Sequence, residues 1–285
     1  MEYLIFALIG LVIGAFSGLF GIGGGVILAP LLLILGTPPT VAIGTSLMLS
    51  LATSLIGSAA HLRLKNIRWR VAGIIALAGM IAVQFTQPYV LFLESRGLDD
   101  FLIPLVFIVL LLSFALFLLR KRPEKEPHTE KKLIMPEYIY FIGIGLIAGV
   151  FSVMLGVSGG FIIVPLLIGL LRFPVKTAVG TSLASVVLIV LLGFVKYSLT
   201  TPIEYMVGLL LIAGTLFGSP LGARLTNFLT NNEMKKLLSF LYLSLALSMA
   251  IRLFFPPAFG IITLLLYFLA FLTYLIYKQK APLTQ

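Results

Sequence analysis

The sequence predicts an all-α polytopic membrane protein of two inverted-topology repeats. Each has about five helical segments, with broken or re-entrant helices, and one extra C-terminal helix follows. Three observations predict this class. Of 285 residues, 60% are hydrophobic and only 11% charged, with a mean hydropathy of +1.16, whereas soluble domains carry about 25% charged residues. Apolar runs of the roughly 20 residues that cross a bilayer recur along the whole chain and leave no stretch for a soluble domain. The chain also repeats itself. "GAFSGLFGIGGGVILAPLL" from Gly14 aligns with "GVFSVMLGVSGGFIIVPLL" from Gly149, identical at ten of nineteen positions, and "AIGTSL" from Ala42 matches "AVGTSL" from Ala178.

The first repeat, 1–120, divides into segments at about 3–20, 24–36, 42–60, 69–90 and 101–119. Residues 3–20 lack the basic n-region of a signal peptide and their pattern recurs mid-chain, so they count as mature protein. Residues 121–136 read as a cytoplasmic linker, since their prolines and alternating charges suit solvated chain; His128 lies within it. The second repeat, 137–255, has segments at about 137–155, 159–171, 177–197, 204–224 and 235–254. A further helix, about 258–277, follows Pro256 and Pro257 and heads the last region, 256–285.

An odd number of segments per repeat threads the second copy upside down, and loop charge agrees. "HLRLKNIRWR" after segment three is basic and "ESRGLDD" after segment four acidic; in the second half "KYSLTTPIE" is nearly neutral and "RLTNFLTNNEMKK" basic. By the positive-inside rule the basic loops are cytoplasmic. The N-terminus is then outside and the C-terminus cytoplasmic, in a cell (inner) membrane.

The net charge of +10 sits between apolar runs, as a topology signal rather than a nucleic-acid surface. The lack of cysteine removes disulfides, Cys-ligated metals and thiol catalysis. No Asp or Glu occurs between Glu2 and Glu94 or between Glu137 and Glu204. The spans therefore offer no carboxylate pair or His cluster for acid–base or metal chemistry, and no enzyme activity, cofactor or metal is expected. Cation carriers and proton-coupled pumps rely on intramembrane Asp, Glu or His; an anion held by neutral donors fits this chain better.

Segments two and seven, at about 13 residues, span roughly 20 Å and are too short to cross a hydrocarbon core of about 30 Å. Each follows a glycine cluster that supplies backbone freedom for a break. The helix starting there points unsatisfied N–H groups, with positive partial charge, into the interior, which suits an anion. Paired short, glycine-interrupted segments are the sequence pointer to a transporter's substrate site. The expected substrate-binding residues are Gly23, Gly24, Gly25, Ser158, Gly159 and Gly160. Thr45, Ser46, Thr181 and Ser182, expected to open the following helices, add hydroxyls. Close helix packing remains open for the glycines, and capping of their own backbone for the hydroxyls. Arg63, Lys65, Arg68, Arg70, Arg172, Lys176 and Lys196 sit at segment ends as orienting charges or auxiliary anion contacts. His61, with Arg63 beside it and Tyr197 at the equivalent position of the second repeat, is a gate residue, a second anion contact or an ordinary interfacial histidine. The expected partners are a small anion, the bilayer and a second copy in a homodimer. An anion channel, or an importer of a related sulfur or carboxylate anion, would use the same parts.

Through "GLFGIGGGVILAPLL", "AIGTSL" and "HLRLKNIRW" in the first half and "GVSGGFIIVPLL" and "AVGTSL" in the second, the chain resembles the TauE/SafE sulfite exporter family. The resemblance implies a permease for sulfite, sulfoacetate and other organosulfur anions, acting in export. Two departures stand out. Where the family often has "H-x-x-x-G-x-V-D", this chain has Lys65 and Arg68, and its first repeat lacks the "GSPLGARL" found from Gly218.

Overall fold

The structure, a computed structural model, describes residues 2–120, 136–252 and 254–280. The expected linker up to residue 135, with His128, and the tail past Lys280 lie outside the described residues. Eleven helices and no strand are found among the described residues. In the first half these are α1 (Glu2–Phe20), α2 (Gly25–Ile34), α3 (Pro39–Arg63), α4 (Trp69–Ser95) and α5 (Asp99–Leu119). The second half has α6 (Glu137–Leu155), α7 (Gly160–Gly169), α8 (Val175–Ser198), α9 (Tyr205–Leu225) and α10 (Asn231–Arg252), and α11 (Pro257–Lys280) follows. Eight are long and apolar enough to cross a membrane. The chain is a polytopic helical membrane protein.

Local chemistry sets the boundaries. Pro38, Pro136 and Pro174 stand just before α3, α6 and α8 with extended backbone, where a proline removes no needed N–H. α1 and α6 stop at Gly21 and Gly156, both left-handed at φ 71° and 70°, the conformation that closes a helix and favours glycine. Prolines inside helices free the carbonyl four residues earlier, and side chains take up two of these. Tyr242 Oη donates to Phe161 O at 2.9 Å below Pro165, and Lys196 Nζ donates to Gln84 O at 3.1 Å below Pro88. Lys196 is thereby committed to a helix repair.

α3 and α8 are the most buried spans and pack on each other, while α11 is the least buried. The largest remaining contacts are exchanged between halves: α1 packs on α9 and α6 on α4, α9 also meets α3 and α4 meets α8. The α1–α9 seam is lined on both sides by glycines four residues apart, Gly10, Gly14 and Gly18 facing Gly214, Gly218 and Gly222. A Cβ on Gly14 would lie 2.8 Å from Thr215 Cα, and one on Gly222 would overlap Ala15 O. Small residues let backbones approach this closely, which is how helices associate in lipid. The "GSPLGARL" stretch therefore serves packing in the second half. α11 docks on α1 through Phe16, Phe20, Tyr267 and Phe271, and on α10 through Glu233, which ion-pairs with Lys278 and accepts from Tyr274 Oη at 2.7 Å.

Candidate functional site

The two glycine breaks meet at the centre of the molecule. α2 and α7 are ten residues each, or about 15 Å, and their N-termini lie back to back. A Cβ on Gly25 would overlap Gly156 O, one on Gly160 would overlap Gly21 O, and one on Gly23 would overlap the Ser158 side chain. Ser158 Oγ donates across the junction to Ile22 O, and Ser182 Oγ donates to Gly21 O at 3.1 Å. Glycine is thus needed for close approach as well as for conformation. Gly23 (φ 69°) and Gly159 (φ 73°) are left-handed, so the two turns use different positions: Gly23 aligns with Ser158, and Gly24 with Gly159.

The N-terminal N–H groups of α2 are not unsatisfied, contrary to the sequence reading. Gly24 N donates to Thr53 Oγ1 and Gly25 N to Ser50 Oγ, both at 2.8 Å. These hydroxyls flank the midpoint of α3, so the start of α2 sits half-way along a full-length span. At α7, Gly160 N reaches Ser158 Oγ at 3.3 Å. Ser50, Thr53 and Ser54 were not expected as site residues. The legible signal was their spacing with Ser46, which puts hydroxyls on one face of a buried helix through apolar sequence. Ser54 Oγ is fully buried, has no hydrogen-bond partner among the described residues, and lies 3.6 Å from the Cβ position of Gly23.

The threonines do something else. Helices α3 and α8 start at Pro39 and Val175, so the Gly-Thr-Ser triplets lie in their second turn and do not open them. Thr45 Oγ1 accepts from Glu204 N and Thr181 Oγ1 from Arg68 N, both at 3.1 Å. Each hydroxyl therefore pegs the residue just before a helix of the other half, α9 and α4 in turn. Ser46 Oγ is buried without a partner.

His61 and Tyr197 are both fully buried and make matching bonds. His61 Nε2 lies 2.9 Å from Gly18 O, so it is the protonated nitrogen, and Nδ1 faces Asn66 Nδ2 at 3.3 Å. Tyr197 Oη donates to Val153 O at 3.1 Å. Gly18 and Val153 align between the halves, as do His61 and Tyr197. Arg63 and Lys65 are exposed and stay outside this cluster, while the Arg68 guanidinium lies 4.5 Å above the Phe173 ring. Lys65 is left-handed at φ 55°, at the position where a glycine was expected from the resemblance.

Residues 6–249 match the family model described as "Sulfite exporter TauE/SafE". The chain belongs to that family of membrane transporters. A probable membrane transporter protein of Methanocaldococcus jannaschii is 26% identical over 247 residues, covering 81% of this chain and 89% of its own. One of Bacillus subtilis is 29% identical over 243 residues (78% and 88%), and one of Xylella fastidiosa 30% over 216 (75% and 80%). No solved structure matches significantly. This chain thus places paired helix breaks against each other, inside spans that carry no charged residue at mid-length.

Proposed function

We propose that the protein exports a small anion, sulfite or an organosulfonate such as sulfoacetate, by alternating access of two inverted repeats in the cell membrane. The observation that carries the reading is the junction of two helix N-termini, with the α2 start half-way along α3. Helix N-termini favour negative charge, and the donors around them here are backbone N–H groups and hydroxyls. The exchanged packing of α1 on α9 and α6 on α4 supports the inverted arrangement, in which one repeat or bundle rocks against the other around a fixed site. His61 and Tyr197 then act as two latches, each about ten residues from the midpoint of its helix, or roughly 15 Å, toward opposite faces. On this reading the bonds of His61 to Gly18 O and of Tyr197 to Val153 O hold the two sides shut. Inside-negative potential drives each net negative charge outward by about 2.3 kcal/mol per 100 mV, so export needs no carboxylate relay.

The test is flux from proteoliposomes loaded in turn with labelled sulfite, sulfoacetate or sulfate under an imposed diffusion potential, with Gly24→Leu and Gly159→Leu as controls. Saturable, potential-sensitive flux of a sulfur oxyanion, lost in both variants, supports the reading. Absence of flux for all three anions under either potential overturns it, and flux without saturation or counterflow indicates a channel.

A further inference from the structure

The two breaks differ in what faces them. At the α2 N-terminus stand Ser50, Thr53 and Ser54 of α3; the aligned positions of α8 are Val186, Ile189 and Val190. Three hydroxyls from the middle of α3 therefore crowd the α2 start, whereas the α7 start has Ser158 and Ser182 beside it and aliphatic side chains at the three aligned positions of α8. Ser50 and Thr53 accept from Gly25 N and Gly24 N, and Thr53 Oγ1 donates to Ser50 O at 3.1 Å. Ser54 Oγ, fully buried, has nothing to bond. A buried hydroxyl without a partner costs free energy unless something supplies the missing bond. The other break shows no such reserve: Ser158 Oγ is bonded to Ile22 O and Ser182 Oγ to Gly21 O.

We propose that the substrate oxyanion binds one-sidedly, at the α2 N-terminus, held by Gly24 N–H, Gly25 N–H and the hydroxyls of Ser50, Thr53 and Ser54. This rests on the anion-transport reading above and names the residues that would set its affinity. Ser50 and Thr53 are place-holders that satisfy the helix donors while the site is empty. When the anion enters, its oxygens replace them as acceptors at the two glycine N–H groups. The two freed hydroxyls rotate to donate, and Ser54 gains the bond it lacks. Hydroxyls suit this exchange because each both donates and accepts. Entry requires the breaks to part, since Ser158 covers Gly23 in the closed form.

The decisive variant is Ser54→Ala, which removes no bond that the closed protein makes and so leaves its melting temperature within a degree or two of wild type. In proteoliposomes carrying labelled sulfite, its half-saturating concentration should rise by about tenfold, one hydrogen bond to a charged group, with the maximal rate changed less than twofold. Thr53→Val should raise it similarly, Thr53→Ser should restore it, and Val190→Ala, the counterpart of Ser54 in α8, should leave it alone. Sulfite should also raise the melting temperature of the detergent-solubilised wild type at concentrations that fail with Ser54→Ala. Wild-type half-saturation in both Ser54→Ala and Thr53→Val overturns the one-sided site while leaving transport standing. A wild type that moves none of the three anions overturns the transport reading and this inference with it.

Discussion

α3 and α8 descend from one repeated sequence, pack on each other at the centre, and share the Gly-Thr-Ser peg and a latch near the C-terminus, yet their middles differ. α3 presents Ser50, Thr53 and Ser54 where α8 presents Val186, Ile189 and Val190. What is shared holds the halves together: Thr45 and Thr181 each fasten the other half's helix start, and His61 and Tyr197 each reach the carbonyl next to a break. What differs concerns the anion site proposed above. A symmetric frame can thus carry an asymmetric lining, because packing constrains backbone approach while the hydroxyls answer to whatever the site must hold.

The shared part should break first and equally. Gly25→Leu and Gly160→Leu each drive a side chain into backbone of the opposite break; overpacking of well-packed interiors costs about 1–3 kcal/mol, occasionally more. Both should abolish flux and lower the melting temperature in detergent. A tolerated Leu at either position would show that the breaks are not in contact. The differing part comes next: Thr53→Val strands the buried Gly24 N–H, at about 1–3 kcal/mol, whereas Ile189→Val at the aligned position should cost about 0.5–1.5 kcal/mol. Equal melting temperatures for these two would remove the distinction between the helices. The latches follow, with Tyr197→Phe and His61→Phe each losing one hydrogen bond to a carbonyl, about 1 kcal/mol. Because the chain has no native cysteine, a single Cys introduced beside either latch reports its opening, and maleimide labelling should rise on one membrane face for each variant. Labelling on the same face for both would overturn the proposed inverted arrangement. The smallest effect is expected at Lys65 and Arg172, left-handed at φ 55° and 53°. Replacement by glycine should stabilise by up to about 1 kcal/mol; a drop in melting temperature would mean that their side chains matter more than their backbone.

Much of this was legible in the sequence. The eleven segments fall within a few residues of the helices because apolar runs and prolines mark their ends, and the duplicated glycines mark the breaks. The capping of Gly24 and Gly25 was not legible, since Ser50 and Thr53 lie 25 and 29 residues away and belong to no motif. The role of Thr45 and Thr181 was hidden for a related reason. Their partners, Glu204 and Arg68, lie 159 and 113 residues away, and only the folded exchange between halves brings them together. The α1–α9 seam had a readable signal in its four-residue glycine spacing, but spacing alone does not say which helix is the partner.

That seam has a consequence for how the protein is made. α1 leaves the ribosome well before α9, and its glycine face has no partner until α9 follows, about 200 residues later. At roughly 5–20 residues per second that is on the order of 10–40 s. Through that interval α1 must rest in lipid or against the insertion machinery with three glycines uncovered. Assembly therefore waits on α9, and a chain truncated before α9 is expected to insert its early spans and then be cleared, since α1 is never claimed.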